Sequence, residues 1–404
     1  MSPGKAAPIK APTMIVFVII VAIMLVAAVV IFVIPEEGSG NYRVLHHFQG
    51  ADGANPGGTP LLSSNGTLLY GTAFGGGTHG IGTLYDLDVS GSAFVLLRSF
   101  DGVNGSLPSQ GVVSAPNGPK LYGLTAQGGA LGAGMVFVVA ANGTELGILA
   151  SLGGRNGSSP MSQPVLSADG ATLYGTATQS GDNGLGTVFS INTATGELKV
   201  LHQFQGGTDG ASPYSPLLIG ADGATLFGMT LAGGNGYGTV YRLGLDGAGY
   251  AVIHSFSGYD GALPRLGGLC QDPHDVLYGM TSQGGLNGYG TVFSLLTDGG
   301  NFTTVHSFTG SDGSSPLATL AYSNSTHSLY GTANQGGKYG QGTLFQMDAK
   351  GGFKVLFDFT GALGAMPTGG MALDEKNGML FGVASGGGGS GLGVVYSYAL
   401  SATH

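Results

Sequence analysis

Leu69-Tyr70-Gly71-Thr72, followed by Gly80-Ile81-Gly82-Thr83-Leu84-Tyr85, is the stretch that decides the fold. It returns as Leu173-Tyr174-Gly175-Thr176 with Gly184-Leu185-Gly186-Thr187-Val188-Phe189, and again as Leu329-Tyr330-Gly331-Thr332 with Gly340-Gln341-Gly342-Thr343-Leu344-Phe345. The aromatic before the first glycine falls at Tyr70, Tyr122, Tyr174, Phe227, Tyr278, Tyr330 and Phe381, at intervals of 51 to 53 residues. A fixed period repeated seven times means an array or a closed ring of equal units.

Working outward, each unit carries the punctuation of four short strands. A β-branched and aromatic run ends in Phe, as in Tyr42-Arg43-Val44-Leu45-His46-His47-Phe48. A crossover loop of the form Phe-x-Gly-x-(Asp/Asn)-Gly-x-x-Pro follows, then a short apolar stretch and an Asp-Gly or Asn-Gly turn. The Leu-Tyr-Gly-Thr strand, a Gly-rich loop and Gly-Thr-Val-Phe-Ser-Leu complete the unit. Four-stranded units in a ring are the blades of a β-propeller. A Phe-ended run precedes every other strand, and the chain finishes on Gly393-Val394-Val395-Tyr396, one strand short of a unit. The N-terminal strand therefore completes the last blade and removes the open edge. An open solenoid would instead need polar capping units. The expectation is all-β, seven-bladed, over 41–404.

Glycine, at 80 of 404 residues, has no triplet period and sits at fixed places in the unit. It marks turns and close approaches rather than disorder. Charged residues make up 9% of the chain and the net charge is −9, with no basic patch, so nucleic acid is not an expected partner. Cys270 is the single cysteine, which leaves no intrachain disulfide. Met14 to Ile34 is an unbroken run of 21 apolar residues, roughly 31 Å as a helix, enough for one crossing. Lys5 and Lys10 precede it and Glu36 and Glu37 follow. That asymmetry predicts a cytoplasmic tail (1–13), a signal anchor (14–34), a linker (35–40) and an exported propeller, extracellular, periplasmic or lumenal. The rival, a cleaved signal peptide, fits a shorter apolar core and a small-residue cleavage site. Asn65, Asn104, Asn142, Asn156, Asn301 and Asn324 head Asn-X-Ser/Thr sequons, which are glycan acceptors in a suitable host and turn sequences otherwise.

The phrases Leu-Tyr-Gly-Thr, Gly-Gly-x-x-Gly-x-Gly-Thr-Val-Phe and Leu-His-x-Phe-x-Gly-x-Asp-Gly-x-x-Pro together resemble the Gloeo/Verruco (GloVer) tandem repeat. The resemblance covers residues 41–400 and all seven units. It departs locally, with Leu152 for Phe, Leu363 for Asp/Asn and Ser180-Gly181 for Gly-Gly. It implies an exported repeat protein with a variable anchoring segment, and it implies no reaction.

His46, His202, His254 and His306 share one place in the unit, two residues before the Phe. On an outer strand they lie too far apart for one metal, whose ligands sit about 2 Å from it. They are expected between blades, each with a ring nitrogen hydrogen-bonded. Asp52, Asn104, Asn156, Asp209, Asp260 and Asp312 read as turn residues bonding their own backbone. Calcium would want several oxygens close together, and no Asp-x-Asp-x-Asp run exists. No metal and no cofactor is expected. Glycosidase chemistry needs paired carboxylates, and no Glu lies in the crossover or Gly-rich loops. Neither a nucleophile elbow nor a dinucleotide fingerprint has the helix it requires.

The repeats disagree at two places. Between the glycines of Gly-x-Gly-Thr stand Ile81, Ala133, Leu185, Tyr237, Tyr289, Gln341 and Leu392. After the crossover proline stand Gly57, Ser109, Met161, Tyr214, Arg265, Leu317 and Thr368. Both loops emerge on one face, away from the anchor. A ligand face centred on Tyr214, Tyr237, Arg265 and Tyr289 would suit a sugar or a peptide; ordinary surface variation is the plainer reading. The sequence thus points to a membrane-held binding or structural surface protein. A glycan-active enzyme and a purely structural surface or virion protein remain the other readings.

Overall fold

The structure, a computed structural model, describes residues 38–400 apart from 117 and 349. The expected anchor (14–34) lies outside the described residues, and among these no helix is long and apolar enough to cross a membrane. Seven antiparallel sheets follow one another along the chain, six of them with four strands. In the fourth blade, for example, Leu218–Ile219 is innermost, followed outward by Thr225–Thr230, Thr239–Gly244 and Ala251–Ser255. The Phe-ended runs are the outer strands.

The seventh sheet closes the ring. Tyr42–His47 pairs with Val394–Ala399, Tyr42 opposite Tyr398 and Val44 opposite Tyr396. Part of the expected linker joins this sheet, because Gly38–Ser39 adds a short strand against Tyr42 and Arg43.

Two sequence rules now have physical causes. In every blade the glycine of Leu-Tyr-Gly-Thr stands opposite the aromatic of the third strand, as Gly71 opposite Tyr85 and Gly279 opposite Phe293. That ring lies across the glycine, so a Cβ at Gly71, Gly123, Gly175, Gly228, Gly279, Gly331 or Gly382 would come under 3.0 Å from it. This is cross-strand cover of a glycine by an aromatic. The Thr of Gly-Thr reaches the crossover loop: Thr83 Oγ1 donates to the Asp52 carbonyl at 3.1 Å, and Thr343 to Asp312 at 3.0 Å.

The core is divided among the seams. Each hydrophobic cluster joins two neighbouring blades, as Phe227, Met229, Val240 and Phe256 meet Leu277, Phe293 and Leu295. The closing seam packs Leu45, Phe48, Phe381 and Val395 against Leu69, Tyr85 and Leu87. The phenylalanines that end the Phe-ended runs are fully buried in their seams, Phe48 in the closing one and Phe100 in the next. Burial of this kind is worth about 3–5 kcal/mol for each Phe, judged by truncation to Ala.

Closure by the N-terminal strand has a direct consequence. Removal of residues 1–48 should leave the outer edge of Val394–Ala399 unpaired and the truncated chain should self-associate, whereas removal of 1–37 should leave a monomer. Sedimentation of the two truncations reads this, and equal monomers with equal melting temperatures would contradict closure.

Candidate functional site

The crossover loops cross the ring's seams, so their anchoring sets what the loop face can present. Each crossover proline sits against the second glycine of the preceding blade's Gly-x-Gly: Pro56 on Gly393, Pro108 on Gly82, Pro160 on Gly134, and so on around the ring. The residue before the proline donates its N–H to the carbonyl of the x residue, as Asn55 to Leu392 (2.8 Å), Leu263 to Tyr237 (2.8 Å) and Ser315 to Tyr289 (2.9 Å). These pre-proline residues, Asn55, Leu107, Ser159, Ser212, Leu263, Ser315 and Met366, all have φ between 50° and 55°. The extended backbone usual before proline is thus absent at all seven.

At the outer end of the loop, four seams carry a clamp of three residues. His46 Nε2 donates to Asp52 at 2.9 Å, and His202, His254 and His306 bond Asp209, Asp260 and Asp312 at 3.1 Å. A carboxylate only accepts, so the proton sits on Nε2. The other carboxylate oxygen caps the turn, as with Ser257 N to Asp260 at 2.8 Å. Each imidazole lies flat on an aromatic of the next blade, with centroids 3.6–4.0 Å apart: Phe94, Tyr250, Phe302 and Phe353. The expected inter-blade packing is present, and the Asp read as a turn residue alone is also the partner of the ring.

Where the loop reaches the axis, the inner strands close tightly around glycine. A Cβ on Gly58, Gly267 or Gly369 would collide with the backbone of Gln110, Ala318 or Gly58. Above this closure lies a bowl of about 200 Å³ on the crossover-loop face. Gly57, Ser109, Met161, Arg265 and Thr368 line it, five of the seven residues that follow the crossover prolines. Phe74, Gln110 and Ser385 complete much of the wall.

Arg265 is the only charged residue in that lining. Its guanidinium stands 5.6 Å from the centre of the Tyr214 ring, a cation–π contact. Tyr237 and Tyr289 are elsewhere, on the seams, and do not line the bowl. Tyr237 lies over Gly258 and Tyr289 over Gly310, 3.3–3.7 Å from where a Cβ would stand. The structure therefore brings together Tyr214 and Arg265 and sets the other two tyrosines radially outward.

Phe74 and Ser385 were not singled out in the sequence, although a signal existed. The fourth residue past the Leu-Tyr-Gly-Thr aromatic also varies: Phe74, Ala126, Thr178, Leu231, Ser282, Asn334 and Ser385. Thr178, Ser282 and Ser385 use their hydroxyls to bind the pre-proline carbonyls of Ser159, Leu263 and Met366 at 2.8–2.9 Å. Phe74 cannot, and its ring is left to the bowl.

The sequons divide by face. Asn104 and Asn156 lie in crossover loops, whereas Asn65, Asn142, Asn301 and Asn324 lie at turns of the opposite face. Asn65 and Asn142 each accept from the Thr of their own sequon, at 2.9 and 2.6 Å.

A family profile described as the Gloeobacter/Verrucomicrobia repeat matches residues 27–235 and 218–404. The chain belongs to the Gloeobacter/Verrucomicrobia repeat family. No curated protein matches its sequence. Among solved structures it is similar to an oligogalacturonate lyase from Vibrio parahaemolyticus, with 10% identity, a TM-score of 0.60 and coverage of 89% of this chain and 94% of that one. It is also similar to an oligogalacturonate lyase in complex with manganese, with 12% identity, a TM-score of 0.57 and coverage of 89% and 93%. Likeness at this identity is one of fold.

The clamps make stability depend on pH in a defined direction. Burial, the largest influence, holds the imidazoles of His46, His202, His254 and His306 below their ordinary pKa of 6.5, against the raising effect of the paired carboxylate. The unfolded chain then binds more protons just below pH 6.5, so the contribution is complete above that pH and is lost as pH falls through it. Melting temperature should drop between pH 7.5 and 5. The double substitution His254→Phe with Asp260→Leu copies the natural stack of Phe357 on Tyr42 beside Leu363 and should make that slope shallower by one clamp's share. A pH-independent melt of the parent chain would contradict the assignment.

Proposed function

We propose that this protein is an exported, membrane-held propeller that binds a ligand on the crossover-loop face, at the axial bowl, and acts as a recognition or structural surface protein. One observation carries the reading. The proline-on-glycine junction repeats at every seam, whereas the wall of the bowl differs from blade to blade, with Gly57, Ser109, Met161, Arg265 and Thr368 at equivalent positions. A framework held constant around a variable concave wall suits recognition.

Orientation supports the same reading. The outer strand that starts at Tyr42 begins beside Tyr398, at the turn face opposite the bowl. An anchor at 14–34 would feed the chain in from that side and direct the bowl away from the membrane. A sugar or a protein surface is the class of ligand that the tyrosines and the single arginine fit. The similar lyases suggest an enzyme acting on glycans as the other reading. Among the described residues no carboxylate or imidazole lines the bowl to remove a proton or hold a cation, so recognition fits it better.

Gly57 offers the test. Its backbone is not left-handed, and a Cβ there would approach only Gln110 Nε2, at 4.0 Å. Gly57→Phe should fill the bowl and leave the melt unchanged. With the full chain in mild detergent screened against glycan and cell-surface protein arrays, every ligand found should lose at least tenfold in affinity. Thr297→Phe, on the opposite face, should change nothing. Ligands indifferent to Gly57→Phe would refute the bowl, and full release of the chain from membranes by alkaline carbonate would refute the anchor.

A further inference from the structure

The seam between the fourth and fifth blades shares an exposed tyrosine with the next seam, Tyr237 here and Tyr289 there, and adds Tyr259 at its rim and Arg265 at its inner end. Its crossover loop runs inward from Phe256 at the rim to Arg265 at the bowl. Tyr259, at the outer end, is 85% exposed. Tyr237, 43% exposed, lies over the adjacent Gly258, and its carbonyl receives the N–H of Leu263 at 2.8 Å. Arg265 follows two residues later, over the Tyr214 ring. Aromatic, aromatic and guanidinium, from the crossover loop and the adjacent Gly-rich loop, thus lie along a single seam. The seams of the first, second and third blades put Ile81, Ala133 and Leu185 where Tyr237 stands.

We propose that this seam is a binding track for an acidic oligosaccharide. Tyr259 and Tyr237 take successive sugar rings on their faces, and Arg265 receives a carboxylate at the edge of the bowl. The assignment rests on the loop-face reading above and specifies its ligand.

Three observations select this occupant. Arg265 has no hydrogen bond or ion pair to its guanidinium among the described residues, and Tyr214 holds it by the ring face, leaving its donor edges to solvent. The other crossover arginine, Arg155, is bound by Asp182 at 2.7 and 2.9 Å and is not available. The carboxylate of the loop, Asp260, lies at the rim end, five residues before Arg265, where it accepts from His254 and Ser257 and makes no ion pair with the guanidinium. Guanidinium matches carboxylate with two parallel hydrogen bonds.

Second, the backbone of the seam offers a peptide little. Gly258 N binds Gly261 O, Ala262 and Gln283 exchange hydrogen bonds, and Gly285 N binds Gly258 O. Strand addition therefore has no free edge here. Third, exposed tyrosines whose hydroxyls have no hydrogen bond among the described residues suit a partner that is apolar on one face and hydroxylated at its rim, which describes a pyranose ring.

The test uses the full chain in mild detergent and isothermal titration. The probes are an alginate tetra-uronate, sialyllactose, their carboxyl-reduced forms and hexaglutamate. At least one acidic glycan should bind, and reduction of its carboxyl groups should weaken it tenfold or more. Arg265→Gln should erase the difference between acidic and reduced forms. Tyr259→Ala, at a solvent-exposed position, should weaken both forms several-fold at an unchanged melting temperature, and Tyr237→Ala, which also removes the ring over Gly258, should weaken both forms likewise. The proposal is overturned if neither acidic glycan binds, if reduction has no effect, or if Arg265→Gln and Tyr259→Ala leave affinity intact. Binding of hexaglutamate alone would transfer the face to acidic peptides and equally sink the track. A ligand lost in Gly57→Phe but indifferent to Arg265→Gln and Tyr259→Ala would leave the bowl standing and remove only this assignment.

Discussion

A proline seated on a glycine, seven times over, is the contact on which the rest of the ring depends. At Gly82, Gly134, Gly186, Gly238, Gly290, Gly342 and Gly393 a Cβ would come under 3.0 Å from the next blade's proline or from its own second strand. The hydrogen bond beside it, from the pre-proline N–H to the preceding blade, locks the same junction. Hydrophobic clusters fill the seam behind it, but such clusters are non-directional. The proline, the glycine and the single N–H fix which blade meets which, and at what angle. The closing seam uses the same parts as the other six, Pro56 on Gly393 and Asn55 on Leu392. The ring therefore has no weak joint where the ends of the chain meet.

That geometry has a cost in the backbone. Leu107, Leu263 and Met366 hold φ values of 52° to 54° without being glycine. The left-handed region costs such residues roughly 1–2 kcal/mol each. Glycine there would remove the strain and also the side chains, which rim the loop face. Strain at these positions and variety in the adjacent wall occur together, so the framework supports seven loop-face positions whose side chains are free to differ.

Much of this was legible in the sequence because the framework is written seven times. The strand count, the blade number and the closure by Tyr42–His47 follow from period and from the order of the ends. The partnership of His with Asp was also written there. Asp occupies positions 52, 209, 260 and 312 where His stands at 46, 202, 254 and 306, while Arg98, Ala150 and Phe357 go with Asn104, Asn156 and Leu363. Reading each column alone hides a pairing that only a comparison of columns exposes. The candidate site was legible in part. Variable positions mark the loop face, but nothing in their spacing says that Tyr214 and Arg265 turn toward the axis while Tyr237 and Tyr289 cover glycines of the next loop. That difference depends on crossing between blades, a contact with no signature in local sequence. Phe74 was missed because three of its counterparts are small hydroxyl residues serving the framework.

The central claim is that the seams make one cooperative ring. Native-state hydrogen exchange at the amides of Asn55, Leu107, Ser159, Ser212, Leu263, Ser315 and Met366 tests it most directly. These seven N–H groups each cross one seam. The account predicts that all seven exchange only through global unfolding, with equal free energies and equal denaturant dependence, Asn55 at the closing seam included. Exchange of one or two of them through separate, lower-energy openings, Asn55 above all, would contradict it.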